Sequence, residues 1–371
     1  MLSFEDIEVQ RESGLTLEAL RQASSYPQFR FMGSKHRLLP WLAGIFRELE
    51  FDSALDAFSG SGSVAYLLKT MGKTVTTNDY LRFGYHISNG LVANPGLALE
   101  QDELDGLLQA NPRAESLVQE TFGGIFFTEE DLWFLDNVWA NLRESQLDPH
   151  KHSLAVSALV RAAVKKQPRG VFTVGNAKAE GYGDGRRDLK LSLQEHFLES
   201  LELFRGMVFD DGRDHAAFCS DIFKADLGDR DIDLVYMDPP YVPRSDDNDY
   251  IKRYHFLEGL SCYWHDPEGR PLEIMQESKV KKIKKRFTPF AYKRTAYEAF
   301  DSLFDRFKGS TLVLSYSSNG YPDKEELVEM MSRHKERVRV EETEHRYHFG
   351  THGEVSKERT SVREYVIIGE G

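Results

Sequence analysis

Cysteine is scarce. Only Cys219 and Cys262 occur in 371 residues, without a Cys-x-x-Cys spacing, which argues against a disulfide framework and a thiolate zinc site. Both are expected to be small apolar fillers. No apolar run is long enough to span a bilayer, and the opening MLSFEDIEVQRESG is acidic where a secretory leader would be basic and then apolar. A cytoplasmic chain with no membrane partner is expected. Basic residues are outnumbered, 47 Lys and Arg against 60 Asp and Glu, and a net charge of −13 repels phosphate on average. That argues against a chain that coats nucleic acid nonspecifically. Internal repeats and low-complexity segments do not stand out. At 40% hydrophobic and 12% aromatic, the chain has enough for one large domain with an insertion, or two domains.

Short apolar runs with polar ends recur along the chain. Ser53 to Phe58 reads as a strand, followed by Ser59-Gly60-Ser61-Gly62 and a helical stretch ending at Gly72. Val75 to Thr77 is a second strand ending at Asn78-Asp79, which closes a βαβ unit and makes the two strands parallel. Ala216 to Cys219, Ile232 to Met237 and Thr311 to Leu314 supply further strands, with Asp221, Asp238 and Ser315 near their ends. Such an array sets its polar ends along one sheet rim, where open α/β sheets bind ligands. Val338 to Phe349 and Ser361 to Ile368 predict a C-terminal hairpin that adds antiparallel pairing. The stretch 83–213 breaks the alternation and reads as a mostly helical inserted domain, with Thr128 capping a helix over FTEEDLWFLDNVWANLRE. Residues 24–82 and 214–371 then form the α/β domain.

The loop from Asp56 through Phe58, Gly60 and Gly62 brings backbone close to a ligand at a helix N-terminus. It lacks the Lys-Ser/Thr of a Walker loop and the third glycine of a dinucleotide fingerprint. Asp56 repels a pyrophosphate and suits a cationic amine. Asp79 at the next strand end suits ribose hydroxyls, and Asp221 the exocyclic amine of a bound adenine, although each is also an ordinary turn residue. A zwitterionic nucleoside, S-adenosylmethionine, fits this set best.

Asp238-Pro239-Pro240-Tyr241 follows the strand Ile232 to Met237. Two prolines remove two backbone donors, leaving carbonyl acceptors beside a carboxylate and an aromatic face. That combination clamps a flat, amine-bearing ring: acceptors draw the amine's hydrogens and localise its lone pair, while Tyr241 stacks on the base. A strand-ending turn is the plainer reading. Direct methyl transfer calls for no metal. Farther on, Lys279 to Arg294 holds eight basic residues and no acidic one, interleaved with Phe287, Phe290 and Tyr292. This is either a solvated helix face or a phosphate-contacting edge led by Lys281, Lys282, Lys284, Lys285 and Arg286.

Taken together these residues resemble the Dam-like adenine-specific DNA N6-methyltransferases. Tyr26 to Lys35, followed by Leu38-Leu39-Pro40-Trp41-Leu42, is similar to the family's opening aromatic-x-Gly-x-Lys segment, which implies Phe31, Met32 and Lys35 as cofactor-pocket residues. Asp56, Phe58, Gly60 and Gly62 match its first motif, Asp79 its ribose acid and Asp221 the acid before the catalytic strand. Tyr250 and Tyr254-His255-Phe256-Leu257 resemble its aromatic-rich loop, and Gly170 to Val174 the element opening its recognition region. The resemblance implies a Rossmann-like S-adenosylmethionine-dependent sheet, double-stranded DNA as partner, a flipped-out adenine as substrate, and a restriction-modification or related system. It leaves open a companion restriction endonuclease or other defence proteins. Cytosine C5 chemistry is disfavoured, because neither cysteine sits in a Pro-Cys strand end. Cytosine N4, an RNA base, and a silent nucleic-acid-binding protein on the same fold stay open.

Overall fold

A run of buried apolar residues along each of several short strands sets the centre of the molecule. The computed structural model describes residues 17–168, 170–175, 185–240, 242–243, 250–346 and 361–371. Its strands are β1 (Ser53–Asp56), β2 (Thr74–Asp79), β3 (Ala216–Cys219), β4 (Leu234–Met237), β5 (Val242–Pro243), β6 (Thr311–Ser317), β7 (Gly320–Tyr321), β8 (Arg337–Arg346) and β9 (Ser361–Glu370). Among the described residues seven of them form one sheet in the order β3-β2-β1-β4-β6-β9-β8. β3, β2, β1, β4 and β6 run parallel, whereas β9 pairs antiparallel with both β6 and β8. β5 and β7 form a separate antiparallel pair. The expected mostly parallel α/β sheet with an antiparallel C-terminal hairpin is thus borne out.

Parallel strands covered on both faces read as continuous apolar runs, and β4 is buried at every position. The side-chain period of two splits it between layers. Leu234 and Tyr236 join Ala54, Val313, Val366 and Ile368 in one core, and Val235 and Met237 join Leu55, Leu314 and Ile367 in the other. Helices Lys293–Arg306 and Lys324–Met331 cover the second face with Phe300, Leu303, Leu327 and Met330. Because β1 continues to β2 on one side while β4 lies on its other side, the chain leaves the two strands in opposite directions. A crevice opens between their carboxyl ends, as open α/β sheets do at such a switch point.

Between β2 and β3 the described secondary structure is helical: Arg82–Leu91, Gln101–Leu108, Leu117–Phe122, Glu129–Glu144, Pro149–Lys166, Arg187–Lys190 and Leu193–Arg205. Thr128 caps the fourth of these as expected. Its Oγ1 accepts from the Asp131 N–H at 3.2 Å and the Asp131 carboxylate accepts in return. The first helix packs on β2 and β3 and also on Pro149–Lys166, so the helical stretch is continuous with the core of the sheet. Two local expectations fail. The stretch from Tyr250 is a helix, Tyr250–Leu260, rather than a loop, and Cys219 is exposed at the end of β3 rather than filling a core.

Gly90 is where Arg82–Leu91 meets Pro149–Lys166, and an added Cβ would lie 2.9 Å from the Leu154 nitrogen and 3.1 Å from the Ser153 carbonyl carbon. Backbone cannot swing aside as a side chain can. Alanine's better helix propensity returns only about 1 kcal/mol, against roughly 1–3 kcal/mol for overpacking of this kind. Gly90→Ala is therefore expected to lower the urea unfolding midpoint at unchanged slope; a midpoint at or above wild type would contradict this packing.

Candidate active site

Asp56, Asp79 and Asp238 lie at the same rim because β1, β2 and β4 run the same way. Together with Phe31, Met32, Lys35, Phe58, Gly60, Pro239 and Pro240 they line a cavity of about 140 Å³. These residues come from separate stretches of sequence, and the fold gathers them. Gly62 does not line the cavity: at φ 73° it caps the helix Ser63–Thr70, and a Cβ there would meet the Tyr26 hydroxyl at 2.7 Å. That hydroxyl donates to the Ser61 carbonyl at 2.9 Å, locking the loop.

Asp79 is held by backbone. The Gly60 N–H donates to its Oδ2 at 2.7 Å and the Leu81 N–H to its Oδ1 at 2.8 Å. Burial raises its carboxyl to about 6 despite those amides. Asp56 is worse placed. Burial, then the nearby Asp238 and Asp79, push it up to about 8, and its Oδ1 finds no hydrogen-bond partner among the described residues. A buried carboxylate oxygen without a donor suits a ligand that brings one, and a cation best of all.

Asp238 has a different compensation. The Lys35 side chain, 3% exposed, sets its Nζ 2.9 Å from Asp238 Oδ1 and 3.9 Å from the Glu364 carboxylate. Burial raises the Asp238 carboxyl and Lys35 pulls it back. Lys35 reaches this depth because the segment before it is pinned to the helix Tyr250–Leu260. The Met32 N–H donates to the Tyr254 hydroxyl at 2.7 Å, and Phe31 packs edge-on against Tyr254. The neighbouring His255 donates from Nε2 to the Phe172 carbonyl at 2.8 Å, and burial lowers its imidazole to about 4. Phe172 itself is buried and stacks on Phe256 at 5.0 Å.

Other candidates lie apart. Tyr241 falls outside the described residues. Asp221 is not in the cavity wall; its Oδ1 accepts from the Phe223 N–H at 3.1 Å. From Lys279 to Tyr292 the basic segment is not helical beyond a short turn at Pro289–Ala291, and Lys293 and Arg294 open the helix Lys293–Arg306. Lys281 donates to the Gln276 carbonyl, Lys284 pairs with Glu273 at 2.8 Å on the surface, Lys282 is half-buried, and Lys285 lies over the Tyr292 ring. Arg286 turns into the cavity wall beside Tyr80, and the buried Glu258 is its ion-pair partner. Sequence reasoning missed Tyr80 and Glu258. Tyr80 had a weak signal, an aromatic directly after a strand-ending acid, and Glu258 had none.

With this arrangement in place, comparison with known proteins decides the family. A model of the D12 class of N6 adenine-specific DNA methyltransferases matches residues 31–312. The chain belongs to that family. It is 28% identical over 335 residues to the Type II methyltransferase M2.HphI of Haemophilus parahaemolyticus, covering 87% of this chain and 92% of that protein. It is 24% identical to the Type II methyltransferase M.NlaIII of Neisseria lactamica, over 86% of this chain and 95% of that one. Modification methylase LlaI of Lactococcus lactis subsp. lactis is 23% identical, and there the match covers 91% of this chain but 54% of the relative. The chain is accordingly an adenine-specific DNA methyltransferase, of a family that takes its methyl group from S-adenosylmethionine. Among the described residues no helix is long and apolar enough to cross a membrane.

Proposed function

We propose that this methyltransferase acts site-specifically on a flipped-out adenine of double-stranded DNA, within a restriction-modification or related system, using the cavity between β1 and β4. The observation that carries the reading is the convergence of Asp56, Asp79 and the Asp238-Pro239-Pro240 corner on one hollow. Bound there, S-adenosylmethionine supplies an electrophilic methyl group on a sulfonium. Asp56 accepts from the ammonium of its amino-acid part, Asp79 from the ribose hydroxyls, and Phe31, Met32 and Lys35 wall the same pocket. Asp221, outside the cavity wall, is assigned the exocyclic amine of the cofactor's adenine.

Asp238 then does the work on the substrate. Its carboxylate and a proline carbonyl accept the two hydrogens of the target N6 amine, which draws the nitrogen out of conjugation and localises its lone pair. Only the ionised carboxylate is purely an acceptor. Lys35 keeps it so in a buried site, and yields Oδ1 to the arriving amine. Tyr241 supplies the stacking face. Swinging the base out costs a few kcal/mol, which stacking and the amine contacts offset. Outside the pocket, Lys281, Lys282, Lys284 and Lys285 offer phosphate contacts.

Two measurements test this. Incubation with tritiated methyl donor and unmodified duplex DNA, followed by digestion to nucleosides, should label N6-methyl-2′-deoxyadenosine, and Asp238→Ala should reduce the label at least 100-fold; label on deoxycytidine, or full transfer by the variant, contradicts the assignment. DNA affinity should fall steeply as salt rises, with the log–log slope shrinking by roughly one for each phosphate-contacting lysine replaced by alanine. A flat salt response removes the basic segment from the interface.

A further inference from the structure

Arg286 does not behave as the other basic residues around it do. Its Nη2 lies 2.5 Å from Glu258 Oε1, and the Glu258 side chain is 3% exposed. Glu258 Oε2 accepts from the Arg82 N–H at 2.8 Å, at the start of the helix that follows Asp79. The guanidinium lies over the Tyr80 ring, 4.6 Å from its centroid, and Nη2 is 3.5 Å from the Tyr80 carbonyl. The Tyr80 hydroxyl donates to the Phe287 carbonyl at 3.5 Å, so the strap of residues 286–288 is fastened to Tyr80 at two points. Four residues farther on, Phe290 packs edge-on against Phe58 of the glycine loop at 5.3 Å. Tyr80, Arg286 and Thr288 all line the cavity that Asp79 lines.

Burying a carboxylate costs several kcal/mol even when it is paired. A chain that wanted a phosphate contact at position 286 would gain nothing by aiming the guanidinium at a buried Glu258. The plane of the guanidinium is used twice here, stacking on an aromatic and donating to a carboxylate, which a lysine cannot do.

We propose that Arg286 and Glu258 are a positioning pair for the adenosine end of the methyl donor, holding Tyr80 as a rigid wall beside Asp79, and that Arg286 is not a DNA contact. The proposal rests on reading this cavity as the S-adenosylmethionine pocket. Glu258 ties the guanidinium to the turn that presents Asp79, so ribose acid, aromatic wall and strap keep a fixed spacing. The ligand class is a nucleoside: a polyol for Asp79 and a flat base for the Tyr80 wall.

The full chain is titrated with S-adenosylhomocysteine by calorimetry and, separately, with duplex DNA over a salt series. Arg286→Lys keeps a cation for Glu258 but removes the plane. It should fold as wild type, weaken S-adenosylhomocysteine about tenfold, raise KM for the methyl donor with kcat little changed, and leave the DNA salt slope unaltered. The double variant Arg286→Ala with Glu258→Ala strands neither charge and should weaken it further. Wild-type affinity for S-adenosylhomocysteine in both variants overturns the proposal, and a shallower DNA salt slope alongside it would return Arg286 to the DNA edge. Should the wild-type chain itself not bind S-adenosylhomocysteine, the cofactor pocket falls first and the positioning pair with it.

Discussion

Three carboxylates share one small buried space, and much of the site is a response to that crowding. Parallel strands end on the same side, so the acids closing β1 and β2 and the acid following β4 meet at one rim. Ionising all three in a low-dielectric pocket is unfavourable. The chain answers each differently: two backbone amides for Asp79, a buried lysine for Asp238, and for Asp56 the least relief, its carboxyl pushed up to about 8 and its Oδ1 without a partner among the described residues. A ligand carrying a fixed positive charge completes this arrangement. An anionic nucleotide opposes it.

The same crowding explains why Lys35 sits where it does. Its side chain crosses from the N-terminal segment to the far strand end, and the aromatic packing of Phe31 with Tyr254 and Phe83 fixes the segment that carries it. One residue therefore lines the cavity and is also the counter-ion of Asp238, and in the proposed reading it serves both the cofactor and the substrate amine.

Much of this was legible in the sequence. Strand ends were marked by an acid after an apolar run, as at Asp56, Asp79 and Asp238, because buried parallel strands need continuous apolar residues and a rim ligand needs polar ones. The C-terminal hairpin announced itself through β-branched and aromatic residues, and Thr128 through its capping chemistry. What stayed hidden depends on contacts across long separations. Arg286 sits in a run of lysines and carries the same charge, so nothing local separates a residue aimed inward at Glu258, 28 positions earlier, from neighbours aimed at solvent. Asp221 has the spacing of a strand-ending acid, yet its carboxylate is turned to a local amide. The helical stretch between β2 and β3 shows why it folds, through capping boxes at Thr128 and Ser192.

Proton exchange on cofactor binding tests the carboxylate crowding most directly. Burial and the neighbouring Asp238 and Asp79 push the Asp56 carboxyl up to about 8, and an ammonium beside it favours the charged form, lowering its pKa and expelling a proton. Calorimetric titration with S-adenosylhomocysteine near pH 7, in two buffers of different ionisation enthalpy, should therefore show release of about one proton, with affinity climbing as pH rises toward 8. Identical heats in both buffers, together with an affinity that is flat across this range, would contradict the account.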